Sequence, residues 1–173
     1  MNTDQPYRVV VAALLCQEGS ILLVRQQGGE DPAPSWALPG GVVEPDEPLG
    51  EAMRRELSQE TGLQLLELGS LIYAVQAKEY ATGYRTTSFI FEASRWQGEI
   101  APGDPDNYIL EACFMPLESA IEALSALPWQ VMREPILAYL QGDTRIGTFW
   151  LYRSQPDGQA NLVERLHDWE HKI

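Results

Sequence analysis

The sequence predicts an α+β fold in a single domain. Apolar runs of strand length fill the start of the chain and recur after residue 63. One amphipathic helix separates these two groups of strands, and two further helical stretches follow the second group. This order of strands, helix, strands and late helices is typical of an α+β fold, and 173 residues are enough to bury a core.

Three strands are predicted ahead of the helix. The first is a nearly continuous apolar run, which is typical of a buried central strand, and a polar turn joins it to the second. A Gly- and Pro-rich loop precedes the third, which leads into a turn at Gly40 and Gly41. These predicted strands span residues 7–16, 21–26 and 36–38.

A helix of about four turns is predicted between Pro48 and Gly62. Pro48 suits the first helical position, because its missing N–H would have no partner there in any case. Asp46 or Glu47 precedes it as a cap, and Gly62 ends the helix with a residue that accepts a left-handed conformation.

One face of this helix carries acids among its apolar side chains. Glu56 and Glu60 lie within roughly 20° of the centre of that face, whereas Glu51 and Ser58 point away. Inward carboxylates need a partner, and a divalent cation is the simplest one. Gln59 follows Glu56 at i+3 and joins the same site. The apolar residues of the face are Leu49, Ala52, Met53 and Leu57.

Three strands and two helices are predicted after Gly62, followed by a C-terminal extension. The first of these strands bends or divides near Gly69 and forms a hairpin with the next. Pro116 opens the first helix, and Pro135 interrupts the second. The extension is expected to hold a short strand, a Pro-Asp-Gly turn and an amphipathic helix. These segments are strands 63–80, 85–93 and 109–115, helices 116–126 and 128–142, and the extension 143–173.

The composition argues against several partners and locations. A net charge of −13 and a pI near 4.4 disfavour a nucleic-acid backbone or an anionic membrane as partner. No basic–apolar leader begins the chain and no apolar run approaches the ~20 residues that span a bilayer, so we expect a cytoplasmic location. Cys16 and Cys113 fit neither a zinc spacing nor a disulfide framework, and we expect both to be reduced core residues.

Residues 41–63 resemble the Nudix box, GX5EX7REUXEEXGU, in which U is an aliphatic residue. Gly41, Glu47 and residues 55–63 supply its fixed positions, of which eight of nine match. Gln59 is the exception, because it stands where the family has the first Glu of its EE pair. Residues 36–40, Trp-Ala-Leu-Pro-Gly, are also similar to the WxLPGG segment that precedes the box in the family.

The resemblance implies a Nudix fold, an α/β/α sandwich with a central mixed β-sheet and a loop-helix-loop catalytic motif. It implies Mg²⁺- or Mn²⁺-dependent hydrolysis of the pyrophosphate linkage in a nucleoside diphosphate derivative. The implied partner is a small-molecule nucleotide, with neither nucleic acid nor membrane, and the many dimers of the family favour a homodimer. Residues 1–142 would form the Nudix domain, and residues 143–173 an extension packed on it.

The resemblance also carries over the metal ligands, residue by residue. Glu56 has an alternative role in this scheme as the general base. Gln59 keeps an oxygen ligand but brings no charge, so we expect weaker metal binding or one ion fewer. The implied ligands are Glu56, Glu60, the Gly40 carbonyl and Gln59.

Other residues resemble the family's supporting and substrate-binding groups. Arg55 and Glu47 resemble the ion pair that fixes the catalytic helix against its loop. Arg25 faces substrate phosphates in the resemblance, or is a strand-end surface charge. Tyr80 lies where the dinucleoside-polyphosphate subgroup stacks a base, or is an ordinary residue beside a hairpin turn. Glu111 adds a carboxylate to the substrate site, or is a surface charge.

Further acids and other protein classes stay open. Asp104 and Asp106 are candidates for an additional carboxylate, although turn formation is the favoured role of both. A non-catalytic nucleotide-binding or sensor domain would carry a degenerate box at Gln59 and would bind without turnover. In a third interpretation the helix is purely structural and matches the box by accident. A metal bound by Glu56 and Glu60 would exclude this interpretation.

Overall fold

The computed structural model describes residues 7–27, 33–78, 83–157 and 159–166. Within these ranges the chain forms strands and three helices. The elements up to residue 78 are β1 Tyr7–Leu14, β2 Cys16–Gln17, β3 Ser20–Gln26, β4 Ser35–Ala37, β5 Gly40–Val42, α1 Leu49–Thr61 and β6 Gln64–Lys78. The elements after it are β7 Arg85–Gln97, β8 Ile109–Pro116, α2 Leu117–Ser125, α3 Gln130–Leu140, β9 Thr148–Ser154 and β10 Ala160–Leu166.

Six strands form one mixed sheet in the order β10-β9-β6-β7-β1-β5. β1 runs parallel to β7 and β6 runs parallel to β9, whereas the other neighbouring pairs are antiparallel. β1 has a partner on each edge, as expected for an apolar N-terminal strand. β5 and β10 lie at the two ends, so the edge of β5 that faces away from β1 has no strand partner among the described residues.

A second, smaller sheet is built around β3. β8 pairs with one edge of β3 along most of its length. The other edge pairs with β2 at its start and with β4 at its end.

The helices lie on opposite sides of the strands, because β1 sends alternate side chains to two separate cores. Val11 packs in the core that contains the buried face of α1, formed by Ala52, Met53 and Leu57. Leu14 packs in the other core, with residues of α2 and α3. The predicted α/β/α sandwich with a mixed sheet is confirmed. None of the described helices has the length and apolarity to cross a membrane.

Both ends of α1 lie within a residue of the prediction, but the cap differs. Pro48 is the N-cap with extended backbone, instead of the first helical residue, and no side chain caps the helix. The predicted caps are engaged elsewhere, since Glu47 binds Arg55 and Asp46 occupies a turn with φ 65°. Gly62 ends the helix in a left-handed conformation with φ 79°, as predicted.

Two local expectations are wrong. Both cysteines are free, as the predicted reduced state requires, but neither lies in the core. Cys16 is exposed on the two-residue strand β2, where the chain leaves the large sheet, and Cys113 is half-buried on β8. α3 runs through Pro135 without interruption. Pro135 removes only the bond that its own N–H would have made to the carbonyl four residues earlier, and the rest of the helix continues.

The end of the chain also differs from the prediction. The expected short strand is β9, which joins β6 in parallel. The expected final helix is wrong for residues 160–166, which form β10 antiparallel to β9. The exposed edge of β9 offers backbone hydrogen bonds that a helix at this place would leave unused. The rest of that predicted helix, residues 167–173, lies outside the described residues.

Candidate active site

The helix α1 places its acids as its periodicity predicts. Glu60 lies among the buried residues of the helix and is 8% exposed, and Glu56 is half-buried one turn earlier. Glu51 and Ser58 are exposed on the opposite side. Two carboxylates therefore face inward, toward β5.

Glu60 contacts the backbone of Gly40. In the antiparallel ladder, the N–H of Ala13 donates to the carbonyl of Pro39, two residues from the Val11–Gly41 pair. Val11 and Gly41 are therefore a hydrogen-bonded pair, and the N–H and C=O groups of Gly40 point away from β1. The Gly40 N–H donates to Glu60 Oε2 at 2.7 Å. Burial, and then the charges of Glu56 and Asp104, raise the pKa of Glu60 to about 8, although this hydrogen bond opposes the shift.

Glu56 lies directly against β5. Its Oε1 accepts a hydrogen bond from Arg55 Nη1 at 2.7 Å. Burial raises the pKa of the Glu56 carboxyl, and the Arg55 guanidinium partly offsets this increase. A Cβ on Gly41 would stand only 2.4 Å from Glu56 Oε1, so a glycine at this position leaves the room that the carboxylate occupies.

Arg55 and Glu47 form the predicted ion pair. Arg55 Nε donates to Glu47 Oε1 at 2.9 Å and Nη2 donates to Oε2 at 2.8 Å, which is a bidentate contact. Arg55 Nη2 also donates to the carbonyl of Val42 at 3.1 Å. The hydrogen bond from Arg55 holds the pKa of Glu47 below its usual value, and the pair raises the pKa of Arg55. One guanidinium thus joins the loop before α1, the end of β5 and Glu56.

Gln59, the residue that departs from the box, sits beside this ion pair. Its Oε1 is 3.5 Å from Arg55 Nη1, and its backbone carbonyl accepts from the N–H of Gly103 at 2.9 Å. The carbonyl of Thr61 accepts from the N–H of Ala101 at 2.9 Å. The loop between β7 and β8 is therefore fastened to the last turn of α1.

That loop brings Asp104 close to the inward acids. Asp104 is a turn-former, as the sequence favours, because its carboxylate accepts from the N–H groups of Asp106 at 3.1 Å, Tyr108 at 2.6 Å and Ile109 at 3.0 Å. Its charge also contributes to the raised pKa values of Glu56 and Glu60. Asp104 thus combines a local role with proximity to the site, which its position in a Gly-Asp-Pro-Asp turn does not reveal.

The predicted substrate-binding residues are arranged differently. Arg25 and Glu111 are opposite each other on β3 and β8, and Arg25 Nε donates to Glu111 Oε2 at 3.2 Å. Both side chains are exposed, at 40% and 48%, so the pair is an open surface ion pair. Tyr80 lies outside the described residues.

The donor set suits a hard divalent cation. Two carboxyl groups face β5, and burial disfavours the charged form of Glu60, which has no cationic partner among the described residues. The Gly40 carbonyl lies at the same edge. A small number of oxygen donors suits Mg²⁺, because this ion keeps several water ligands and takes substrate oxygens as further ligands. Across the described ranges, no group of three or more His, Cys, Asp or Glu residues is placed to hold a metal by itself.

The fold and the helix with its inward acids define a class of protein. The NUDIX domain model matches residues 6–138, and the chain belongs to the Nudix family. CTP pyrophosphohydrolase of Escherichia coli K12 is 44% identical over 55 residues, which are 32% of this chain and 41% of that protein. Nucleoside triphosphatase NudI of Escherichia coli O1:K1 is 38% identical over 81 residues, covering 44% of this chain and 57% of that protein.

The matched region spans about half the length of these curated relatives. The fold extends further than the sequence similarity. The MutT protein of Bacillus halodurans superposes with a TM-score of 0.67, covering 92% of this chain and 96% of that one at 18% identity. At that identity the likeness concerns the fold alone.

Proposed function

We propose that this protein hydrolyses the pyrophosphate linkage of a nucleoside di- or triphosphate derivative with the help of Mg²⁺ or Mn²⁺. The observation that carries the proposal is the pair of inward carboxylates, Glu56 and Glu60, at the edge of β5 that no described strand covers. Membership of the Nudix family supports the reaction class, and the names of the bacterial relatives support a nucleotide substrate.

The metal would be held by Glu56, Glu60 and the Gly40 carbonyl. When bound, it would neutralise the diphosphate and activate the attacking water. Gln59 is a weaker candidate ligand, because its side-chain oxygen lies 3.5 Å from Arg55 Nη1. Asp104 is the best candidate for the additional carboxylate, because its charge raises the pKa values of both Glu56 and Glu60. Glu56 keeps its alternative role as general base, since its raised pKa suits a group that accepts a proton.

Positioning falls to the Arg55–Glu47 pair. The guanidinium contacts Glu47, Glu56 and the carbonyl of Val42, so it fixes the helix and the strand relative to each other. Arg25, Tyr80 and Glu111 stay candidates for substrate binding. Opening of the Arg25–Glu111 pair would free a cation for phosphate. A cytoplasmic location and a homodimer also stay predictions.

The experiment is a hydrolysis assay with a panel of nucleotides. The purified protein is incubated with the common nucleoside triphosphates, CTP included, and with nucleoside diphosphate derivatives, in Mg²⁺ or in chelator. We expect Mg²⁺-dependent release of a nucleoside monophosphate product. Glu60→Gln should lower kcat by at least about 100-fold, because it removes a charged ligand. Glu51→Gln is the matched control on the exposed side of the same helix and should retain full activity.

Two results would overturn the proposal. Hydrolysis that persists in chelator, or that Glu60→Gln leaves unchanged, would remove the metal-carboxylate site from the reaction. Absence of turnover over the whole panel, with nucleotides still raising the melting temperature, would favour the non-catalytic binding domain instead.

A further inference from the structure

A cavity of about 830 Å³ lies on the large sheet, between the ends of β6, β7, β9 and β10. Among the described residues, its lining contains three cations, Lys78, Arg85 and Arg153, and no Asp or Glu. The whole chain has 25 acidic and only 12 basic residues, so this lining reverses the composition of the protein. We call these three residues and the cavity between them the cationic groove.

The strand register places the three cations side by side. Lys78 is the direct partner of Arg85 on β7 and of Arg153 on β9. Directly paired residues project from the same face of a sheet, with Cβ atoms roughly 5 Å apart. Like charges at that spacing repel each other, which favours an anion between them.

The described residues supply no counter-charge to the cationic groove. None of their carboxylates lies within 4 Å of the nitrogen atoms of Lys78, Arg85 or Arg153. Glu164 on β10 is paired with Leu151 on β9, which brings an acid near the groove, but Glu164 makes no ion pair with the three cations. The cations are therefore available to a ligand.

The cationic groove is separate from the carboxylate site. Gly40 on β5 is paired with Ala12 of β1, and Arg85 on β7 is paired with Tyr7 of β1. The two sites are therefore separated by five residues along β1 and by two strand spacings, because β5 and β7 flank β1 on opposite edges. At about 3.3 Å per residue and 4.8 Å per strand, the Cα atoms of Gly40 and Arg85 are roughly 20 Å apart. β9 and β10, which form one wall, lie beyond the segment that matches the Nudix domain. A phosphate in this groove is not one that reacts at Glu60.

We propose that the cationic groove is a second anion site, which binds the phosphate groups of a nucleotide. The guanidinium groups of Arg85 and Arg153 match phosphate oxygens in geometry, and Lys78 adds a point charge between them. Ser154 contributes a hydroxyl group, and Leu151 and Val163 offer an apolar wall for the rest of the molecule. The shared chemistry is phosphate, free or nucleotide-linked.

The test measures binding without metal, so it does not depend on turnover or on the proposed hydrolysis. ATP and inorganic pyrophosphate are titrated into the protein by calorimetry in chelator at low salt. Without a cation, the carboxylate site offers neither ligand an attractive charge, so the variants decide whether the cationic groove is where the ligand binds. We expect binding that the double variant Lys78→Gln/Arg153→Gln weakens by at least about tenfold.

Two further variants make the result specific. Lys78→Arg keeps the charge and should keep the binding. Arg145→Gln removes an exposed arginine just before β9, outside the cavity, and should change affinity less than twofold. The melting temperature of each variant checks that it is folded.

The ligand series separates the two phosphate sources. Binding of both ligands assigns the groove to a phosphate chain, and binding of ATP alone assigns it to a nucleotide. If neither ATP nor pyrophosphate binds without metal, the proposal is overturned. An equal loss of affinity in Arg145→Gln and in the double variant also overturns it.

Discussion

The carboxyl group of Glu60 occupies a position that favours its neutral form. Burial and two neighbouring acids raise its pKa to about 8, and the single N–H of Gly40 does not compensate. A divalent cation would supply the missing opposite charge and bring the pKa back down. The charged form of Glu60 is therefore unfavourable without a cation and would be stabilised by one.

This residue predicts an unusual pH dependence of stability in chelator. The pKa of Glu60 rises from 4.5 to about 8 on folding, so the unfolded chain loses this proton first as the pH increases. The free energy of unfolding should therefore fall between about pH 4.5 and pH 8, by on the order of 3 kcal/mol. Glu60→Gln should remove this decline, and urea denaturation at pH 5 and pH 8 measures it.

Mg²⁺ should reverse the decline at pH 8 in the wild-type protein and not in Glu60→Gln, because binding to the folded state adds stability. Glu51→Gln serves as the control and should behave as the wild type does. Parallel pH profiles for the wild type and Glu60→Gln would contradict the assignment.

Arg55 gives a second prediction at the residue scale. Lysine keeps the charge of Arg55 but cannot donate to both oxygens of Glu47 and also to Glu56 and Val42. Arg55→Lys should therefore lower kcat about tenfold or more and lower the melting temperature, with a smaller effect on KM.

Arg54→Lys is the matched control, because the neighbouring Arg54 is exposed and, within the described part of the chain, hydrogen-bonds only to the carbonyl of Gly50. Because the pair lowers the pKa of Glu47, its contribution to stability should be present at neutral pH and disappear as the pH falls through that lowered pKa. Equal kinetic effects of the two lysine variants would show that Arg55 has no positioning role.

At the scale of elements, the site depends on how closely α1 approaches β5. The Glu56 carboxylate fills the space beside Gly41, and the Gly40 N–H reaches Glu60. A Cβ on Gly40 would meet the backbone oxygen of Val11, so this strand end is crowded on both sides. The helix and the strand can approach this closely because Gly40 and Gly41 have no side chains at the contact.

Gly41→Ala tests this close approach. The new methyl group would overlap the carboxylate of Glu56, which must then move away from its place beside β5. We expect kcat to fall by about tenfold or more, because a displacement of an ångström in a reacting group is enough for such a loss.

Gly103→Ala is the control, since its Cβ would meet nothing within 4 Å. Activity in Gly41→Ala equal to that of the control would mean that the position of Glu56 is not critical.

At the scale of the whole molecule, β9 and β10 complete a core that begins at β1. Trp150 on β9 is 1% exposed and belongs to the core between the large sheet, α2 and α3. The hydroxyl of Tyr152 donates to Glu134 of α3 at 2.9 Å. The strands β9 and β10 are therefore part of the packing of the sandwich.

Trp150→Ala should lower the free energy of unfolding by about 3–5 kcal/mol, because it leaves a large cavity in this core. Val163→Ala on β10, where the side chain is 56% exposed, should change it by less than about 0.5 kcal/mol. Urea denaturation of both variants measures the difference. A small effect of Trp150→Ala would mean that β9 adds little to the stability of the protein.

Elements whose causes are local could be predicted from the sequence alone. The inward direction of Glu56 and Glu60 follows from the helical period, the end of α1 follows from Gly62, and the turn at Asp104 follows from its side-chain hydrogen bonds to nearby N–H groups. The spacing of the Nudix box is also a local feature, because the box lies within one helix and its adjoining loop.

Features that depend on partners far along the chain could not be predicted in this way, because they are set by contacts in the folded protein. Residues 160–166 form a strand because β9 offers an unpaired edge, and Arg25 meets Glu111 because β3 pairs with β8. The row of Lys78, Arg85 and Arg153 likewise exists only through the register of three strands. Strand register is set by contacts between distant segments, and a pattern read along one segment contains no information about its neighbour across the sheet.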